Sequence, residues 1–186
     1  MKINKLNSFY FTKSIENHNF YNNILLELIK KIPQNTYQSI THTDWNLPRD
    51  YKREYLEYFY TIIKDYMEEI RDYLNTNKCE IGNGWFQQYY KNDNHPWHTH
   101  EKSQFTNVYY VELPNENYKT EIFDNTTNKI INLEVKEGDV ITFPAFYSHR
   151  SKPIVSNERK TIIAFNSNFW DSNQNNINTA LTNNNL

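Results

Sequence analysis

Three of the chain's six histidines fall within the heptapeptide Asn94-His95-Pro96-Trp97-His98-Thr99-His100. Residues two apart on a β-strand project from one face, so His98 and His100 would set two imidazoles side by side. A neutral imidazole is a nitrogen donor for a transition metal. Another, His149, follows Phe143-Pro144-Ala145-Phe146-Tyr147-Ser148. A later strand that brought it back against the pair would close a three-sided metal site with coordination positions left open. The plain alternative for each ring is a hydrogen-bonded core or surface histidine. His95 stands just before a proline, on the approach to the strand rather than among the ligands. His18 and His42 lie in polar, irregular surroundings and read as surface residues.

The composition narrows what such a site can serve. The 186 residues carry a formal charge of −2, so no basic field advertises nucleic acid or anionic lipid as a partner. No apolar run approaches the ~20 residues of a membrane span. The opening MKINKLNSFYFTKS lacks the apolar stretch of a secretory signal. A lone Cys79 excludes an internal disulfide framework and fits a reducing, cytoplasmic setting (a host cytoplasm if the chain is viral). With 3 glycines and neither G-x-G-x-x-G nor G-x-x-x-x-G-K, a nucleotide-binding fold of either standard kind is not expected. Aromatic residues make up 16% of the chain against 38% hydrophobic in all, so the core must rest on large amphipathic rings.

The elements that must position the histidines change character near Cys79. Before it, Phe20 to Ile32 places Ile24, Leu25, Leu28 and Ile29 on one helical face, with Pro33 as the stop. From Asp50, a plausible N-cap, to Asn75, residues Leu56, Phe59, Ile63, Tyr66, Met67, Ile70 and Leu74 recur at helical spacing. After Cys79 the period becomes two. Strands are predicted near Glu80–Tyr90, Trp97–His100, Phe105–Leu113, Thr120–Phe123, Ile130–Val135, Val140–Phe143 and Lys160–Phe169. Helices followed by this many short strands imply an α+β fold: a sandwich or jelly roll of antiparallel sheets, with the long helix covering one outer face. A single domain is expected over 1–170, with a helical front at 1–78 and a jelly roll at 79–170. The Asn-rich stretch 171–186 has few apolar anchors and reads as a flexible tail.

The order of His95–His100, Phe105–Pro114, Glu137–Pro144, His149 and Arg159–Asn166 resembles the 2-oxoglutarate- and Fe(II)-dependent dioxygenases. It is similar in particular to small oxygenases of bacteria and phages, with an H-x-H element, a G-D-x-x-x-F-P stretch, a distal His and an R-x-S/T leading to a Phe-Asn end. The resemblance spans roughly Trp85 to Phe169. It implies a double-stranded β-helix, cupin-like, that holds Fe(II) and uses 2-oxoglutarate and O2, releasing succinate and CO2 as it hydroxylates a substrate.

Carried over residue by residue, the resemblance makes His98 the first ligand and His149 the distal one. The family's usual carboxylate position falls on His100, a departure that adds one unit of positive charge to the site. Asp124, from another strand, is the alternative third ligand, whereas Glu101 would point to the opposite face. Arg159, ten positions after His149, takes the role of clamp for the distal carboxylate of 2-oxoglutarate, a task suited to a planar guanidinium. Thr161 shares its strand face. Lys160, between them, points away and reads as a surface or edge residue. Gln88 and Tyr90, and Asn107 with Tyr109, are further candidates to touch 2-oxoglutarate. Two competing readings stay open: a cupin-like three-His metal protein that does not use 2-oxoglutarate, and a non-enzymatic jelly-roll binding module. The substrate and oligomeric state are not legible.

Overall fold

The computed structural model describes residues 8–33 and 41–171. In chain order they form β1 (Phe11–Ser14), α1 (His18–Lys30), β2 (His42–Thr43), α2 (Glu54–Tyr73), β3 (Lys78–Tyr89), β4 (His95–His98), β5 (Phe105–Glu112), β6 (Glu121–Asp124), β7 (Lys129–Ile131), β8 (Asp139–Pro144), β9 (Ser148–Ser151) and β10 (Lys160–Trp170). The Asn-rich residues 172–186 lie outside the described residues.

The strands form two antiparallel sheets, a major one in the order β1-β8-β5-β10-β3-β2 and a minor one in the order β4-β9-β6-β7. One apolar cluster fills the space between them, with Trp85 and Tyr89 from β3, Val108 and Tyr110 from β5, Ile162 and Ala164 from β10, and Ile122 from β6. A second cluster lies on the other face of the major sheet, where α1 and α2 cover Phe86, Tyr109, Val140, Ile163 and Phe165. This is the α+β jelly roll backed by helices. β10 sits at its centre, and its first six residues are all buried because both faces are covered.

α2 forms for the expected reason. Tyr55, Leu56, Phe59, Ile63, Tyr66, Met67 and Ile70 are its buried stripe, each contributing about 1.5–3 kcal/mol of apolar transfer. Asn75 ends it in the left-handed region at φ 50, a conformation asparagine tolerates at a helix C-terminus. The start differs from the sequence reading. Asp50 is exposed in a preceding turn, and the cap position is Arg53, which makes no side-chain cap bond. Arg53 is instead tied to the buried Asp44 at 2.8 Å, while Tyr55 Oη donates to Asp44 at 2.7 Å and the amide of Phe86 at 3.0 Å. That carboxylate fastens the β2 segment and the head of α2 to β3, beside the histidines.

Three strands were not predicted: β1, β2 and β9, each four residues or fewer. β4 runs from His95 to His98, two residues upstream of the prediction, and carries Pro96. It lies at the edge of the minor sheet, where a missing backbone donor is tolerated. His18 is not a surface residue. It is packed beneath the turn at Gly138, whose φ of +86 and close approach to the His18 ring, 2.7 Å from a built Cβ, leave no room for a side chain.

Candidate metal centre and the chamber behind it

β4 and β9 pair so that His98 stands opposite His149. His100 lies two residues past the end of β4. Its amide donates to Ala145 O at 3.1 Å, which turns the chain back so that its ring joins the other two. The nitrogens that His98, His100 and His149 can offer lie within 4.8 Å of one another, and ring centroids are 4.2 Å apart for His98 and His149 and 5.0 Å for His100 and His149.

The tautomers follow from the partners. Nδ1 of His98 donates to Pro96 O at 2.8 Å, Nδ1 of His149 to Tyr147 O at 3.1 Å, and Nδ1 of His100 to Asn166 Oδ1 at 2.7 Å. Those oxygens can only accept, so each ring keeps its proton on Nδ1 and leaves its Nε2 lone pair free for a metal. A metal-binding imidazole is oriented in this way by an acceptor behind it. Burial, reinforced by the neighbouring rings, pushes His149 down to about 3, and burial likewise lowers His98 and His100. All three are therefore neutral donors at pH 7, and the donor set fits a transition metal.

These shifts give a stability prediction. The unfolded histidines take up protons near pH 6.5, while folded His149 resists until about 3. The unfolded state then binds more protons across that window, so the metal-free protein loses stability as pH falls from 6.5 toward 3. Thermal melts over this range should show the loss, with a shallower slope for His149→Gln. An unchanged slope in that variant would mean that the ring is not held neutral.

No carboxylate joins the group among the described residues. Asp124 is spoken for elsewhere. Its oxygens accept from Thr126 N and Oγ1 and from Thr127 Oγ1, each at 2.8 Å, capping the turn after β6. His95 lies against His98, the rings tilted by 32° with centroids 3.9 Å apart, and burial pushes it down to about 4. His42, read as a surface residue, is half-buried with an unpartnered Nε2 among the described residues, on the helix side of the major sheet.

The six residues expected to touch 2-oxoglutarate share one face of the major sheet. Gln88, Tyr90, Asn107, Tyr109, Arg159 and Thr161 all lie on the helix-facing side, away from the histidines. Arg159 donates through Nε and Nη2, each at 2.7 Å, to Glu112, and Thr161 Oγ1 donates to the same carboxylate. Gln88 Nε2 donates to Thr161 Oγ1 at 3.3 Å. Tyr109 bonds His18 Nδ1 through its hydroxyl at 2.7 Å and packs its ring on Phe59. Asn107 Nδ2 donates to Phe165 O and Ser167 Oγ, each at 3.0 Å. These bonds tie strands of the major sheet to one another and, through His18, to α1.

The face turned to the histidines carries Lys160 instead. It is fully buried, donates from Nζ to Ser151 Oγ at 2.8 Å and sits 4.7 Å above the Tyr89 ring. No carboxylate pairs with it among the described residues, and burial pushes its ammonium down to about 7. Tyr89 Oη donates to Gln87 Oε1 at 2.7 Å, and Gln87 Nε2 reaches His95 Nδ1 at 3.4 Å. Thr106, on the same face, has a buried Oγ1 without a partner among the described residues. A narrow chamber is lined by the three histidines, Tyr89, Thr106 and Ser151. It opens past His98 and His100 to a mouth of about 570 Å³ bordered by Trp45, Trp85, Arg49 and Glu101.

A double-stranded β-helix with this opening between its sheets is the fold of 2-oxoglutarate/Fe(II) oxygenases of known structure. HygX of Streptomyces hygroscopicus, solved with nickel, 2-oxoglutarate and hygromycin B, superposes with a TM-score of 0.67 at 9% identity, covering 86% of this chain and 82% of its own. A prolyl-4-hydroxylase of Pseudomonas putida gives 0.60 at 10% identity over 88% and 93%. The viral collagen prolyl hydroxylase of Paramecium Bursaria Chlorella virus-1, in its 2-oxoglutarate complex, gives 0.56 at 15% identity over 86% and 95%. At such identities the likeness is one of fold. No protein-family model and no curated protein matches the chain. No helix among the described residues is long and apolar enough to cross a membrane.

Proposed function

We propose that the chain is a 2-oxoglutarate- and Fe(II)-dependent dioxygenase that hydroxylates a small substrate. One observation carries the reading: three imidazoles whose ligand nitrogens lie within 4.8 Å of one another line a chamber, and two residues of its wall, Ser151 and Tyr89, hold a buried ammonium that lacks an acid partner among the described residues. An unpaired buried cation is costly, and an anionic ligand that reaches it from a metal would offset that cost. The proteins of this fold solved with 2-oxoglutarate and metal bound make the cosubstrate the natural candidate.

His98, His100 and His149 hold the metal. Lys160, steadied by Ser151 and Tyr89, receives the distal carboxylate of 2-oxoglutarate in a charge-assisted hydrogen bond, and Thr106 Oγ1 is free to donate to the same ligand. The chamber is tight, about 20 Å³, so seating the acid requires side chains such as Gln87 to move aside. When bound, Fe(II) supplies the activation of O2, one oxygen atom ending in succinate as CO2 leaves and the other in a C–H bond of the substrate. The aromatic walls of Trp85 and Tyr89 keep bulk water from the chamber.

The absence of a carboxylate beside the three rings favours a second reading, a three-His metal protein that does not use 2-oxoglutarate. Both are decided together. Protein loaded anaerobically with Fe(II) should develop a weak visible absorption on adding 2-oxoglutarate and release succinate on admitting O2, and His149→Ala should lose both. Metal bound at full occupancy with neither signal would leave the second reading standing.

A further inference from the structure

The mouth of the histidine site carries two opposite charges without partners. Arg49 follows the β2 segment and Glu101 follows the ligand His100, and both line the same cavity of about 570 Å³. Among the described residues neither side chain makes an ion pair or hydrogen bond, although other exposed charges, such as Lys13 with Glu69 or Arg71 with Asp72, find partners. The same cavity has an apolar wall. Trp45, 53% exposed, meets Trp85 edge-on at 4.4 Å, and Trp85 in turn lies 5.6 Å from the His100 ring. The size is that of a small-molecule pocket. The chain's charge of −2 gives no field for a polyanion.

We propose, resting on the oxygenase reading above, that the substrate is a small zwitterion of the amino-acid class. Its carboxylate pairs with the Arg49 guanidinium and its ammonium with Glu101. Its side chain lies along the Trp45–Trp85 wall, which leads toward the metal ligands. A guanidinium favours a carboxylate by bidentate hydrogen bonding, and an exposed indole face takes apolar or cationic groups. A neutral sugar would leave both charges unmatched, and a peptide bonded at both ends would offer neither terminus.

The test uses the Fe(II)- and 2-oxoglutarate-loaded protein, reading the visible band as each proteinogenic amino acid is added singly, beside its methyl ester, its N-acetyl derivative and neutral monosaccharides. At least one free amino acid should shift the band and stimulate succinate release, with the ester and the N-acetyl form each weaker by about tenfold or more. Arg49→Gln should erase the preference for acid over ester and keep that for amine over acetamide, and Glu101→Gln should do the reverse. A band that no free amino acid shifts, or preferences that survive both substitutions, would overturn the zwitterion while leaving the oxygenase reading intact. Failure of the band to form with 2-oxoglutarate at all would overturn both.

Discussion

Lys160→Met should weaken 2-oxoglutarate binding by about thirtyfold or more, the effect of removing a buried charged partner worth about 2–5 kcal/mol. The protein itself should be no less stable. The ammonium is fully buried, its bonds are to neutral groups, and replacing such a charge by an apolar side chain of similar length is often neutral or stabilising. Arg159→Gln should behave in the opposite way. It leaves Glu112 without its guanidinium, costs about 1 kcal/mol at a pair that is 35% and 21% exposed, and does not touch 2-oxoglutarate.

The same lysine sets a pH dependence. With its pKa pushed down to about 7 from 10.5, it is charged in the folded protein below about pH 7 and neutral above. A dicarboxylate needs it charged, so binding is full below that point and weakens as pH rises, each ligand then taking up a proton. Stability of the ligand-free protein runs the other way. Between pH 7 and about 10 the unfolded chain holds a proton that the folded one has lost, and stability rises across that window. Titrations of the visible band and of thermal midpoints should lose both slopes in Lys160→Met. Normal binding in that variant, with loss in Arg159→Gln, would restore the assignment the residue order suggested.

That the sequence could not choose between Arg159 and Lys160 has a physical reason. Strand parity correctly separates Arg159 and Thr161 from Lys160, but it does not say which set faces the interior. β10 is central and covered on both sides, so Ile163 and Phe165 with Arg159 look as much like a core face as Ile162 and Ala164 with Lys160. A guanidinium ten places after His149 and a period of two then favour the side that the structure turns toward the helices. The same two-sidedness misplaced Gln88, Tyr90, Asn107 and Tyr109. α2 was legible because a helix buried on one face writes its period plainly. The fold class was legible for a similar reason, since many short period-two runs after two helices leave few architectures. His98 and His100 were found together on the premise of a regular strand, which the structure corrects. The strand ends at His98, and the bond from His100 N to Ala145 O brings the second ring round. Asp44, which fixes the mouth of the site, gave no signal, because one acidic residue in a polar segment looks like any surface turn.

The most informative change to the metal centre is His100→Glu. Three neutral imidazoles leave a divalent ion with its full charge, and soft or borderline metals gain over hard ones. A glutamate oxygen reaches about as far from the backbone as the imidazole Nε2, whereas an aspartate falls short. The substitution therefore supplies an anion at the same point. Mn(II) affinity should rise by about tenfold or more, and the advantage of Zn(II) over Mn(II) should shrink, as read by competition with a chelator. Asn166→Ala should act through the ring instead. It removes the acceptor that holds Nδ1 of His100, frees the imidazole to rotate, and weakens every metal by about ten- to a hundredfold without changing their order. An Mn(II) affinity that falls in the glutamate variant would show that the position does not face the ion. Turnover then separates the two readings of the site. An oxygenase that binds 2-oxoglutarate at Lys160 keeps releasing succinate with a carboxylate in the third position, because the cosubstrate still has its metal face and its ammonium. A reaction that depends on an all-imidazole ion is lost, because the added negative charge lowers the Lewis acidity on which it runs.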